Sequence, residues 1–299
     1  RAPALGAGSR VFESRRPDPP AAEKGAAERG SDEAAVRRAG ATLVVGNRPT
    51  AAASLATWLV CAHAELEVAL EEVDLFAADR GARLARLSPT GRVPVLHEHG
   101  TVIWDSLAIM EWCAERAPAL WPAHARRRAV ARSVTAELHA GFTALRAELP
   151  LDWFARYRLK EQLPATLQVE LHRLVRIWQP LLEAAPEQDF LFGARPTIAD
   201  LAMVPMAARL RTYGLLPRDG LERGYALRLL ELPALATWFA DVPATPALPK
   251  RPRPVVDDGA AAPAAASPAS TTTSTPAGAP AGTPTENRTG APGSRRLED

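Results

Sequence analysis

Cysteine is scarce in this chain: Cys61 and Cys113 are the only two in 299 residues. They form no CxxC pair, and each falls in an apolar helical pattern. That excludes a disulfide framework and predicts two buried free thiols in a reducing, cytoplasmic setting. The 6 histidines are scattered, so no metal site is read from the sequence. No apolar run reaches the roughly 18 residues that a membrane span needs. An excess of one charge is missing too. With 36 Lys and Arg against 34 Asp and Glu, the formal charge is +2, which calls for neither nucleic acid nor a membrane surface as partner. Aromatics are thin at 6%, yet 47% hydrophobic residues are ample for a core.

The two ends of the chain have little to bury. Residues 1–40 are rich in Ala, Arg, Pro and Glu and carry no uninterrupted apolar stretch, so they do not read as a secretory signal. Glu13, Asp18, Glu23, Glu28, Asp32 and Glu33 do not suit an acid-poor transit peptide. This segment reads as a disordered leader. From 244 to 299, Pro, Ala, Thr, Ser and Gly dominate, and a disordered tail is expected. Between the ends, composition and punctuation predict one domain over 41–118 and a second, all-helical one over 122–243.

The most informative stretch runs Ser88-Pro89-Thr90-Gly91-Arg92-Val93-Pro94-Val95-Leu96 and continues to Asp105-Ser106. It reads as a loop, a proline-led strand from Pro94 to His97, a turn at Glu98-His99-Gly100, a β-branched and aromatic strand Thr101 to Trp104, and a helix capped by Asp105 or Ser106. Upstream, Thr42-Leu43-Val44-Val45-Gly46 is a short buried strand, followed by a helix from about Ala51 to His63 with Thr50 as the natural N-cap. Leu66 to Leu75 is a second strand, and Asp79 to Leu87 a short basic helix or irregular turn. The order is β-α-β-α-β-β-α.

Beyond a Pro-punctuated linker at 117–122 every pattern is helical. Val130, Val134, Leu138, Phe142, Leu145 and Leu149 put one long amphipathic helix over Arg126 to Leu149, and a similar rhythm covers Leu163 to Leu182. At Pro196-Thr197-Ile198-Ala199-Asp200, Thr197 caps a helix and Asp200 reaches back, a capping-box variant. Further helices are expected over Ala226 to Leu230 and Pro233 to Val242.

The loop with its Asp-Ser pair resembles the glutathione-binding half of the glutathione transferase family, where the loop reads roughly Asn/Ser-Pro-x-Gly-x-Val-Pro-x-Leu and a Glu/Asp-Ser pair follows. The Thr197 to Asp200 signature is similar to one that nucleates a buried helix in that family's second domain. The resemblance implies an α/β plus all-α protein: a thioredoxin-like domain, then a helical bundle. It implies glutathione, an extended tripeptide, held as an extra strand. The Val93-Pro94 bond would be cis, leaving the Val93 backbone to pair with the cysteinyl unit. The γ-glutamyl carboxylate would sit on Ser106 and the helix N-terminus, its ammonium on Asp105, and Arg92 could approach the peptide's carboxylates. The plainer alternative is that Pro94 ends a loop, Asp105 only caps a helix and Arg92 is solvated.

Several segments are similar to a bacterial serine-using branch akin to the zeta class, typified by maleylacetoacetate isomerase: Val44-Val45-Gly46-Asn47, Trp104-Asp105-Ser106-Leu107, Glu137-Leu138-His139-Ala140-Gly141-Phe142 and Arg211-Thr212-Tyr213-Gly214. There the turn before the first helix reads approximately Asn-x-x-Ser-Ser-x-Ser, and the first Ser donates to the glutathione thiolate. Here the two adjacent serines become Ala51 and Ala52, while Ser54 remains. Thr50 and Ser54 are the hydroxyls that could substitute. His139 could line the second-substrate pocket, or be an ordinary interhelical histidine. Arg209 and Arg211 could bind an acidic substrate, or form surface ion pairs.

The resemblance thus implies a dimeric, cytoplasmic transferase that joins glutathione to a small electrophile or isomerises a conjugated dicarboxylate. The alternative, favoured by Ala51 and Ala52, is a glutathione-binding scaffold without catalysis.

Overall fold

The computed structural model describes residues 40–159, 162–243 and 256–257. The leader expected over 1–40 and almost all of the tail expected over 244–299 lie outside the described residues. Within that tail, Val256–Asp257 is a two-residue strand paired with Arg158–Leu159.

Strand β1 (Ala41–Gly46) is buried along its whole length, as suits a β-branched run covered on both faces. It pairs parallel with β2 (Ala69–Val73) and antiparallel with β3 (Val95–Glu98), which pairs antiparallel with β4 (Thr101–Trp104). The sheet order is β2-β1-β3-β4. Side chains alternate across it: Leu43 and Val45 join the main core, while Val44 packs with Val73, Leu84 and Val95 on the other face. Helix α1 (Ala52–His63) and helix α3 (Ser106–Arg116) pack together, and α2 (Arg80–Leu87) lends Leu84 to the opposite face. This is the mixed four-stranded sheet of a thioredoxin-like domain, in the expected β-α-β-α-β-β-α order. The two cysteines are free and buried, their sulfurs 3.7 Å apart between α1 and α3.

The helical part comprises α4 (Ala125–Ala140), α5 (Thr143–Glu148), α6 (Ala165–Glu183), α7 (Ile198–Thr212), α8 (Gly220–Leu230) and α9 (Ala234–Trp238). Two expectations are corrected here. The long helix from Arg126 to Leu149 is two helices, because Gly141 is extended and Phe142 takes φ +59°, with its ring fully buried. A Cβ at residue 141 would lie 2.7 Å from the Glu137 carbonyl oxygen, so glycine is required at the break. Thr50 is not an N-cap: its hydroxyl donates to the Asn47 carbonyl (3.3 Å), and α1 starts after Ala51 with no side-chain cap.

Helix α7 is buried on almost every side and is the hub of the bundle. It packs against α1, α4 and α8, so one core runs from the sheet side of α1 through to Trp178 and Trp238. Its N-terminus is held as anticipated. The Thr197 N–H and hydroxyl both donate to Asp200 Oδ2, at 2.8 Å each.

Candidate functional site

Three backbone features converge on one cleft of about 680 Å³. The first is the turn into α1. The Thr50 and Ala51 N–H groups donate to the Asn47 carbonyl, and the Asn47 side chain is itself fixed by the Leu75 N–H (2.8 Å) and Asp74 (2.9 Å). Gly46 is closely packed beside it: a Cβ there would meet the Leu75 side chain at 2.5 Å and the Ala51 Cβ at 3.1 Å. Arg48 ties the same turn to Glu72 and Asp241 and to the Trp238 carbonyl. Ala53, in the first turn of α1, thereby comes to the wall of the cleft.

The second feature is the loop 88–94. Ser88 is buried, and its hydroxyl accepts the N–H groups of Thr90 (3.3 Å) and Arg92 (3.1 Å), which curls the chain. The Val93-Pro94 bond is cis. Thr90, Arg92, Val93 and Pro94 all border the cleft.

The third is the start of α3. Asp105 is the N-cap, its Oδ1 accepting the Leu107 N–H at 2.9 Å, and it holds φ +74°, a conformation costly for a residue with a Cβ. Its other oxygen lies 3.2 Å from His139 Nε2, and the Ser106 hydroxyl lies 3.5 Å from His139 Nδ1. His139, from α4, therefore spans both residues of the Asp-Ser pair. Asp105 remains 47% exposed, so its carboxylate stays open to the cleft.

Most of the expected site residues are brought together. Arg92, Val93, Pro94, Asp105, Ser106 and His139 border one cleft. The two expected hydroxyls are not with them. Thr50 is turned to Asn47. Ser54 is fully buried, with its oxygen accepting the Gly46 N–H at 3.2 Å, so it is occupied inside the domain. The α1 residue on the cleft is Ala53, and Ala52 lines the smaller cavity behind it, whereas the sequence suggested the Ala51–Ala52 pair; Ala51 itself is buried.

A smaller cavity of about 70 Å³ continues from the cleft between α1 and the bundle, sharing Ala53, Ser106, His139 and Arg146 with it. Its far wall carries Arg209. Here too an expectation is corrected: Arg209 and Arg211 are not surface ion pairs. Arg209 is buried and donates to the carbonyls of Leu149 (3.0 Å) and Pro205 (3.2 Å). Arg211 donates to the Trp153 carbonyl and lies 4.3 Å over the Trp153 ring, a cation–π contact. Burial lowers the Arg209 pKa to about 10, with the neighbouring Arg146 charge pushing the same way. Arg146 was missed in the sequence because it reads there as one charge on a solvated helix face. It is an exposed residue overall, but it turns its guanidinium onto the Leu138 carbonyl, and desolvation of that end lowers its pKa.

The family model for the glutathione S-transferase N-terminal domain matches residues 52–116, the segment that contains the α1 start, the loop and the Asp-Ser pair. Among solved structures, a glutathione transferase homolog from Burkholderia gl BGR1 with bound glutathione is similar at 24% identity, over 67% of this chain and 96% of that one, with a TM-score of 0.52. An epsilon-class glutathione S-transferase from the housefly Musca domestica matches at 21% identity, over 66% and 91%, TM-score 0.51. The theta-class enzyme from Xanthomonas axonopodis pv. citri, with glutathione bound, matches at 21% identity, over 66% and 96%, TM-score 0.50.

The chain has the glutathione transferase fold. No curated protein matches the sequence. The family-model match supports the glutathione S-transferase family over the first domain, which supplies the loop 88–94 and the Asp105–Ser106 cap to the cleft. Among the described residues of this transferase-fold chain, no helix is long and apolar enough to cross a membrane.

Proposed function

We propose that this chain binds glutathione in the 680 Å³ cleft and presents its thiol to a small electrophile, as a glutathione transferase. One observation carries the reading: the loop 90–94, the Asp105–Ser106 cap and the first turn of α1 face a single cleft. Glutathione's γ-glutamyl ammonium suits the open oxygen of Asp105, and its carboxylate suits Ser106 with the free N–H groups of α3. The cysteinyl backbone runs along Val93. The glycyl carboxylate comes within the reach of Arg92. This placement directs the sulfur towards Ala53. The reaction is thiolate addition or substitution, or cis-trans isomerisation of a conjugated dicarboxylate in the manner of the zeta class, with His139 on the side where the second substrate enters. No metal is assigned a part.

A second reading is a glutathione-binding scaffold without catalysis. It is favoured by Ala53 on the cleft and Ala52 on the cavity behind it, which leave the first turn of α1 without a hydroxyl at either. A free thiol of pKa about 8.5 is roughly 3% thiolate at pH 7. Lowering that pKa by two units takes about 2.7 kcal/mol, and a helix N-terminus supplies only about 0.3–1 kcal/mol.

The test has two steps. Immobilised glutathione should retain the protein, and Asp105→Asn should abolish the retention. Conjugation of a generic electrophile then separates the readings: turnover supports the transferase, and capture without turnover supports the scaffold. Ala53→Ser should raise turnover at least several-fold if the sulfur lies at α1.

The same reading extends to a cytoplasmic homodimer. Its interface is assigned to the β4–α3 face, where Val102, Ile103 and Leu107 surround Trp104, which is 47% exposed. Sedimentation of the native chain and of Trp104→Glu tests it; a monomeric native chain refutes it.

A further inference from the structure

The small cavity behind the cleft holds an electrostatic imbalance. Arg146 and Arg209 both border it, and each lowers its pKa by desolvation, with Arg146 adding like-charge repulsion at Arg209. Neither makes an ion pair with a carboxylate among the described residues. Their bonds go to backbone carbonyls: Leu149 and Pro205 for Arg209, Leu138 for Arg146. The nearest acid behind Arg146 is Glu170, and its carboxylate is committed to the N–H groups of Ala144 and Leu145 at the start of α5. A buried Arg209 and the partly desolvated guanidinium end of Arg146 repel one another without a paired carboxylate, and an anion entering the cavity relieves them.

The identity of that anion follows from what else lines the space. Ala52, Ala53 and Ala56 of α1 form the opposite wall, and Ala53 is shared with the cleft. A volume of about 70 Å³ admits a sulfur together with several waters, and it is reached from the cleft past Ala53, where the sulfur of bound glutathione is directed. We propose that Arg146, backed by Arg209, holds the sulfur of bound glutathione as thiolate, taking the part that a hydroxyl on α1 does not play here. The S–H bond breaks, the electron pair stays on sulfur, and the proton leaves to bulk water through the open mouth of the cleft. The inference rests on glutathione binding in the cleft, as proposed above. The other charged or titratable groups facing the space are Asp105 and His139 beside Ser106, and Arg92 at the outer rim. Asp105 alone opposes the effect, and the glutathione ammonium would offset it.

The experiment is a pH titration of the ultraviolet thiolate absorbance of glutathione bound to the full chain, with S-methylglutathione, which cannot ionise, as the control for binding. Bound to the native protein, the thiol should titrate at least about one pH unit below its free value near 8.5. Arg146→Met should return it by at least tenfold in ionisation constant, with S-methylglutathione affinity changed less than about threefold. Arg146→Lys should keep part of the lowering, since a cation in water-poor surroundings still favours the anion. Retained S-methylglutathione binding also certifies that each variant is folded. A bound thiol that titrates at its free value, or one unmoved by Arg146→Met, overturns the proposal while leaving glutathione binding intact. If Arg146→Met instead raises KM only for carboxylate-bearing electrophiles, the pair serves the second substrate and the proposal is likewise overturned. Failure to bind S-methylglutathione at all overturns both this and the function proposed above.

Discussion

Two helix N-termini among the described residues are held by an aspartate side chain, and they behave oppositely. Asp200 in α7 is fully buried, and its carboxylate takes four donors. Oδ1 accepts the Leu191 N–H (3.0 Å) and the Tyr225 hydroxyl (3.1 Å), and Oδ2 accepts the Thr197 N–H and hydroxyl. Nothing is left for a ligand. Asp105 at α3 has one oxygen on the Leu107 N–H and the other at a half-exposed histidine. Its surroundings leave a carboxylate oxygen exchangeable, on a backbone held at positive φ. The same capping chemistry is a folding device where the chain satisfies it completely; where one partner can be displaced, the function proposed above makes it a recognition device.

The largest effect should come from Asp200→Ala. It strands four donors in the core, and each buried unsatisfied group costs about 1–3 kcal/mol, so denaturant unfolding should show a loss of at least about 3 kcal/mol or no folded protein. A loss below about 1 kcal/mol would mean the comparison is misdrawn. Next is Asp105→Asn. Asparagine still caps and tolerates positive φ, so stability should change by less than about 1 kcal/mol. Losing a charge-assisted bond worth about 1.5–3 kcal/mol should weaken glutathione binding at least tenfold by calorimetry. Equal affinity would place the ammonium elsewhere.

Smaller is the pH effect at Asp200. Burial raises its carboxyl above the ordinary 3.8, opposed by the backbone donors and by the Thr197 and Tyr225 hydroxyls. A raised value means the folded state binds the proton more tightly than the unfolded chain. The stability contribution is therefore present in full below about 3.8 and fades as pH rises through the raised value. Subtracting the unfolding free energy of Asp200→Asn from that of the native chain across pH should give a curve that falls with rising pH, and a rising curve would reverse the assignment. The smallest effect is at His139. Its half-exposed pair with Asp105 is worth at most about 1 kcal/mol. His139→Ala should leave glutathione affinity unchanged or raise it by no more than about fivefold; a large loss would make the histidine a ligand contact.

The comparison also explains what could be read in advance. Both caps are local: a Thr or Asp at the helix start and its partner a few residues away lie in one stretch of chain, so their pattern survives in sequence. The loop 88–94 is local in the same sense. The break at Gly141-Phe142 was not legible, because the apolar spacing runs on through it and only the Glu137 carbonyl's approach forbids a Cβ at 141. Thr50 and Ser54 kept the right chemistry and lost the right direction. The Asn47-centred turn starts α1 one residue late and puts Ala53 on the cleft and Ala52 on the cavity behind it, with Ser54 beneath Gly46.

The sequence by itself determined the order of elements, the loop and the two Asp caps, because those depend on residues close along the chain. The tertiary structure alone decided that Arg146 and Arg209, 63 positions apart on different helices, share a cavity wall without a carboxylate between them. It also decided that His139 from the bundle reaches the Asp-Ser pair. Charge becomes informative only once distance and desolvation are known, and both come from how distant helices pack.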